Sequence, residues 1–143
     1  WKYTEKYASD DKYIPARAKI YDRLIMDPES PIRVNNPQHL YFEPYYQLMR
    51  QCLLGWRMTM KREYGCDEYL HVRVIPEGNH ELRQTNTSPG LAGSSMSEAW
   101  KSVLKQPKRY AVVTPESLLS DVKNLDAGRS LTAYLAPRYW QSQ

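Results

Sequence analysis

Between Pro44 and Tyr64, the apolar residues Tyr45, Leu48, Met49, Cys52, Leu53, Trp56 and Met60 recur at helical spacing and trace one stripe. Pro44 suits the first turn of such a helix and Gly65 the residue after its last. Gln47 and Gln51 lie one turn apart and off the stripe, on a face shared with Leu54, Met58 and Arg62. From Tyr69 to Ile75 the period changes to two. Leu70, Val72 and Val74 alternate with Tyr69, His71 and Arg73, which predicts a strand with one apolar and one amphipathic face, ended by Pro76-Glu77-Gly78-Asn79. The segment from Arg83 to Ser95 is polar, with a proline and two glycines, and reads as a loop.

Ser95 with Glu98 three residues on forms a capping-box pattern, and the helix it opens carries Met96, Ala99, Trp100, Val103 and Leu104 on one face. Tyr110-Ala111-Val112-Val113 is a short strand, and Thr114-Pro115-Glu116 starts another helix with Thr114 as cap, continued by Leu118, Leu119 and Val122. A last short helix is expected near Leu131–Leu135, stopped by Pro137. Before Pro44, Ile20, Tyr21, Leu24 and Ile25 suggest a short helix, and Pro28, Pro31 and Pro37 break the rest into turns. The resulting order of helix, strand, helix, strand, helix predicts a single α/β domain over residues 1–143, a mixed sheet flanked by helices with two neighbouring parallel strands. Two strands are few for this many amphipathic helices. Trp1–Thr4 is therefore expected to be the end of a third strand beside Tyr69–Ile75, with further strands upstream.

Composition narrows the partners. A net charge of +4 suits a polyanion, and twelve Tyr and four Trp against one Phe suit polar interfaces, since a tyrosine ring stacks while its hydroxyl bonds. Nothing approaches the roughly 18 apolar residues of a membrane span. Cys52 and Cys66 form neither a disulfide framework nor a metal-site spacing, so a reducing, cytoplasmic setting is expected. His39, His71 and His80 lack zinc spacing, and His71 reads as an ordinary strand residue facing a helix or the sheet edge. Gly90-Leu91-Ala92-Gly93 lacks the Lys-Ser/Thr of a phosphate loop, and no serine sits in a nucleophile elbow.

Arg50, Arg57, Lys61 and Arg62 give the long helix several cations suited to phosphate, and with them a DNA-binding face. Glu43, just before the helix, has two readings: a displaced metal ligand, or a negative charge favourable to the helix N-terminus.

The opening Trp1-Lys2-Tyr3-Thr4-Glu5 resembles the tail of the E-X-K element of PD-(D/E)XK nuclease-like proteins, and Pro44-Tyr45-Tyr46-Gln47-Leu48-Met49-Arg50-Gln51 resembles the helix that brings a Gln to their active site. The resemblance covers roughly residues 1–75 in the order strand end, insertion, Gln-bearing helix, strand. It implies a restriction-endonuclease-like fold that hydrolyses DNA with Mg²⁺ or Mn²⁺. Lys2 would be the catalytic lysine and Gln47 a supporting group, with the metal carboxylates falling before residue 1. Such chemistry needs a metal to stabilise the phosphate and acidify its water, and a cation to balance charge. The chain alone would then lack both usual carboxylates, and an upstream segment or a second chain, as in a homodimer, would complete the site. Two other classes stay open: a non-catalytic DNA- or protein-interaction domain of this architecture, and an α/β enzyme acting on a small molecule.

Overall fold

Both expected core strands form, and they pair as expected. In the computed structural model, which describes residues 14–79, 88, 90–120 and 125–139, β1 (His71–Val74) and β2 (Tyr110–Val113) are parallel neighbours. His71 stands opposite Tyr110 and Val74 opposite Val113. Parallel neighbours need a long crossover, and this one carries helix α3 (Met96–Ser102). Lys2 and the Trp1–Thr4 strand lie outside the described residues, as do residues 83–87 and 89 of the predicted 83–95 loop.

Helix α1 (Ile14–Ile25) is longer than the four apolar positions that announced it, with Pro15 in its first turn, where a missing N–H costs nothing. Helix α2 (Tyr45–Met60) buries Tyr45, Leu48, Met49, Cys52, Leu53 and Trp56, the predicted stripe without Met60. Met60 is exposed because the helix ends there. Beyond Lys61 the chain turns sharply. Arg62 (φ 50°) and Tyr64 (φ 55°) both adopt the left-handed conformation, and Gly65 (φ 74°) follows. For a non-glycine residue that conformation costs on the order of 1–2 kcal/mol.

Local capping works as the sequence implies. Ser95 Oγ accepts from the Glu98 backbone N–H at 3.2 Å, while the Glu98 carboxylate takes the backbone N–H of Ser94 at 3.0 Å and its hydroxyl at 2.6 Å. These bonds hold the Glu98 carboxyl below its usual range. Thr114 Oγ1 accepts from the Ser117 N–H at 3.1 Å and starts α4 (Pro115–Leu118). The last helix differs from the expectation. It spans Asp126–Tyr139 as α5, with Pro137 inside it rather than beyond it. Pro137 sits in the final turn, where its ring and missing N–H disturb only one bond of an ending ladder.

The core gathers α2, α3, β2 and the loop residues Ile32, Leu40 and Tyr41 around fully buried Trp100. An antiparallel bridge from Ile32 to Leu104 ties the 26–36 turns to the end of α3. The helices cover the amphipathic face of β1, not its apolar one. Tyr69, His71, Arg73 and Ile75 point inward. Leu70, Val72 and Val74 remain 59%, 39% and 45% exposed. Specific partners explain the choice: Tyr69 hydroxyl and Cys52 Sγ meet at 3.5 Å, Arg73 Nη1 donates to Met96 Sδ at 2.7 Å, and Ile75 is buried. No helix among the described residues is long and apolar enough to cross a membrane.

Candidate nucleic-acid interface

Since α2 turns its apolar stripe inward, its opposite face is fixed in direction. No acidic residue occurs from Pro44 to Arg62, and four cations do: Arg50, Arg57, Lys61 and Arg62. Where α1 crosses α2, a groove of about 490 Å³ is lined by Tyr21 and Leu24 of α1 and by Gln47, Arg50, Gln51, Leu53, Leu54 and Arg57 of α2. Gln47, Arg50 and Arg57, singled out from the sequence, thus come together. Lys61 and Arg62 do not line the groove; they lie in the turn past the end of α2, where Lys61 Nζ comes within 3.7 Å of Glu63 at the exposed surface. Arg50 and Arg57 are two helical turns apart, about 10 Å along the axis, which matches the rise of roughly three nucleotides in one strand.

Aromatic rings lie close to the groove's cations Arg50 and Arg57 and to Arg17 of α1. The Arg50 guanidinium lies 5.5 Å from the Tyr46 ring and that of Arg17 3.9 Å, while Arg57 lies 5.6 Å from the Trp56 ring. Tyr46 is held edge-on by Tyr21 at 5.7 Å and Tyr41 at 6.4 Å. Arg17 Nη1 also donates to the Tyr41 carbonyl, and the Tyr41 hydroxyl donates to Asp22 Oδ1 at 2.5 Å. Burial first, and then that bond, push the Tyr41 hydroxyl far up, so it stays a donor. Sequence reasoning missed Arg17, Tyr21 and Tyr46. Their role depends on α1 crossing α2, a non-local contact without a local signature.

Gln51 links the groove to the sheet. Its Oε1 lies 2.9 Å from His71 Nε2, and an amide oxygen can only accept, so His71 carries its proton on Nε2. His71 is 9% exposed, with Trp100 and Tyr110 edge-on to its ring at 6.2 and 5.4 Å. Burial, and then the nearby Arg73 charge, lower its pKa to about 4, so it is neutral at physiological pH. His71 does face a helix. The Gln51 amide NH₂ remains able to donate towards the groove it lines.

Glu43 is the acidic residue for which the sequence leaves two readings. It is partly buried just before α2. Burial raises its pKa, while Arg17, a hydrogen bond from the Gln47 backbone and Arg50 act against that rise. Its place before α2 sets its charge at a helix N-terminus near Arg17 and Arg50, and burial outweighs the help that those charges give. Among the described residues no group of three or more His, Cys, Asp or Glu side chains could hold a metal ion. The described residues therefore do not fit a Mg²⁺ site by themselves; the groove offers two guanidinium groups and two side-chain amides.

Comparison with known proteins adds the family. Neither the curated proteins nor the solved structures include a significant match. A protein-family model matches residues 1–140, nearly the whole chain, and supports a restriction-endonuclease-like domain of mixed α/β architecture. The chain belongs to that family, REase-ARP, described as "Restriction Endonuclease associating with ARP".

Proposed function

We propose that this chain serves a restriction-type nuclease that hydrolyses phosphodiester bonds in DNA with Mg²⁺ or Mn²⁺, and that the α1–α2 groove is where the DNA backbone lies. The observation that carries the reading is the acid-free face of α2, on which Gln47, Arg50, Gln51 and Arg57 converge in one groove of a chain with this family membership. Arg50 and Arg57 take phosphates, with rings beneath them that restrict their side chains. Gln47, beside Arg50 in the groove, donates to a phosphate or to a water held near it. The PD-(D/E)XK resemblance adds Lys2 as the cation beside the scissile phosphate. The metal supplies charge stabilisation and an acidified water, held by carboxylates outside the described residues. The family description also names association with ARP, and we extend that association to this chain as a protein partner.

A cleavage assay on supercoiled and linear DNA tests this reading with the full-length protein. Cleavage should require Mg²⁺ or Mn²⁺ and stop on chelation. Lys2→Ala should abolish it with DNA affinity nearly intact, because one lysine is one of several phosphate contacts. Full cleavage by Lys2→Ala would refute the role of Lys2. DNA bound but uncleaved under every metal condition would favour the interaction-domain alternative.

A further inference from the structure

The turn after α2 holds two strained residues whose side chains bury nothing. Arg62 and Tyr64 both sit at positive φ, where glycine or asparagine is the ordinary choice. Arg62 is exposed, and Tyr64 is 94% exposed. A strained conformation persists when something outweighs it, and burial of these side chains does not. The turn is nonetheless well defined. The Gly65 N–H donates to the Arg62 carbonyl at 3.0 Å and the Cys66 N–H to the Glu63 carbonyl at 3.0 Å, so the ring projects from a fixed point.

The surroundings say what such a ring can take. Lys61, Arg62 and Glu63 precede it, with Lys61 Nζ 3.7 Å from the Glu63 carboxylate, and Arg57 lies on the last turn of α2, so three cations stand against one acid in this stretch of chain. Cations that follow phosphates beside an aromatic ring that accepts a base are the two components of single-strand binding. In an intact duplex the bases are stacked inside and offer such a ring no free face. Resting on the reading of α2 as a DNA-contacting helix, the geometry points to Tyr64 as a base-stacking residue for an unpaired nucleotide of single-stranded DNA, with Lys61 and Arg62 on the flanking phosphates. The strained turn then sets the ring's position rather than the stability of the fold.

The test compares Tyr64→Ala, Tyr64→Trp and Tyr64→Gly with the wild type by fluorescence anisotropy, on a labelled single strand and its intact duplex at one fixed low salt concentration. Tyr64→Ala should weaken single-strand binding roughly tenfold, the loss of one stacked base, and change duplex binding far less. Tyr64→Trp should retain the affinity. Tyr64→Gly should lose it like Tyr64→Ala without lowering Tm, since glycine takes a positive φ freely. Single-strand affinity kept in both the Ala and Gly variants would overturn the assignment and leave the DNA reading standing. Equal losses on single strand and duplex would overturn base stacking. Failure of the wild type to bind either DNA would overturn the DNA reading itself, and this inference with it.

Discussion

Acidification should loosen this protein through His71, and the sign is fixed by burial. The imidazole is almost fully enclosed, donates from Nε2 to Gln51, and faces Trp100 and Tyr110, with Arg73 as the nearby charge on its own strand. Its pKa falls from 6.5 to about 4 on folding. As pH drops, the unfolded chain takes the proton first. The stability contributed by neutral His71 is complete above the unfolded value, declines between 6.5 and about 4, and falls no further below that. At 1.36 kcal/mol per decade the whole loss is on the order of 3 kcal/mol, of which about 2 kcal/mol is gone by roughly pH 5. Urea unfolding near pH 7.5 and near pH 5 would read this in the wild type and in His71→Phe, which cannot titrate there. Glu43, whose raised pKa acts in the opposite sense, is common to both proteins and cancels in the comparison. The wild type should lose about 2 kcal/mol more than the variant between the two conditions. Equal pH dependence in both proteins would refute the buried-neutral assignment.

Other substitutions probe the packing. Trp56→Ala, at a buried position on the α2 stripe, should cost about 3–5 kcal/mol in chemical denaturation, and a loss below about 1 kcal/mol would mean that the stripe does not face the core. Gly93→Ala places a Cβ 2.5 Å from the Ala99 backbone nitrogen at φ 147°, so it should lower Tm clearly, whereas a neutral result would mean that the approach of this loop to α3 is loose.

What could be read from sequence was what local chemistry decides. The Ser95–Glu98 cap, the Thr114 cap and the stripe from Tyr45 to Trp56 each depend on residues within a few turns, and each forms. The strands were legible as strands, but not which side of β1 meets the helices. Alternation set Leu70, Val72 and Val74 apart as the apolar face, whereas partners distant in sequence, Cys52 for Tyr69, Gln51 for His71 and Met96 for Arg73, hold the other face inward. The site divides the same way. Gln47, Arg50 and Arg57 share one helix, so their spacing alone places them on neighbouring turns. Arg17 and Tyr21 reach them only through the α1–α2 crossing, and Lys61 and Arg62 fall outside the groove because α2 ends at Met60 and the chain turns left-handed at Arg62.

The claim that the α1–α2 groove carries DNA rests on Arg50 and Arg57, and its most direct test is the salt dependence of binding. Affinity for a duplex should be measured over a range of salt for the wild type and for Arg50→Ala/Arg57→Ala. If both guanidinium groups take phosphates, the double variant should bind more weakly and its log–log salt slope should be shallower by about 1.8, roughly 0.9 for each lost contact. The same affinity and the same slope in both proteins would contradict the account.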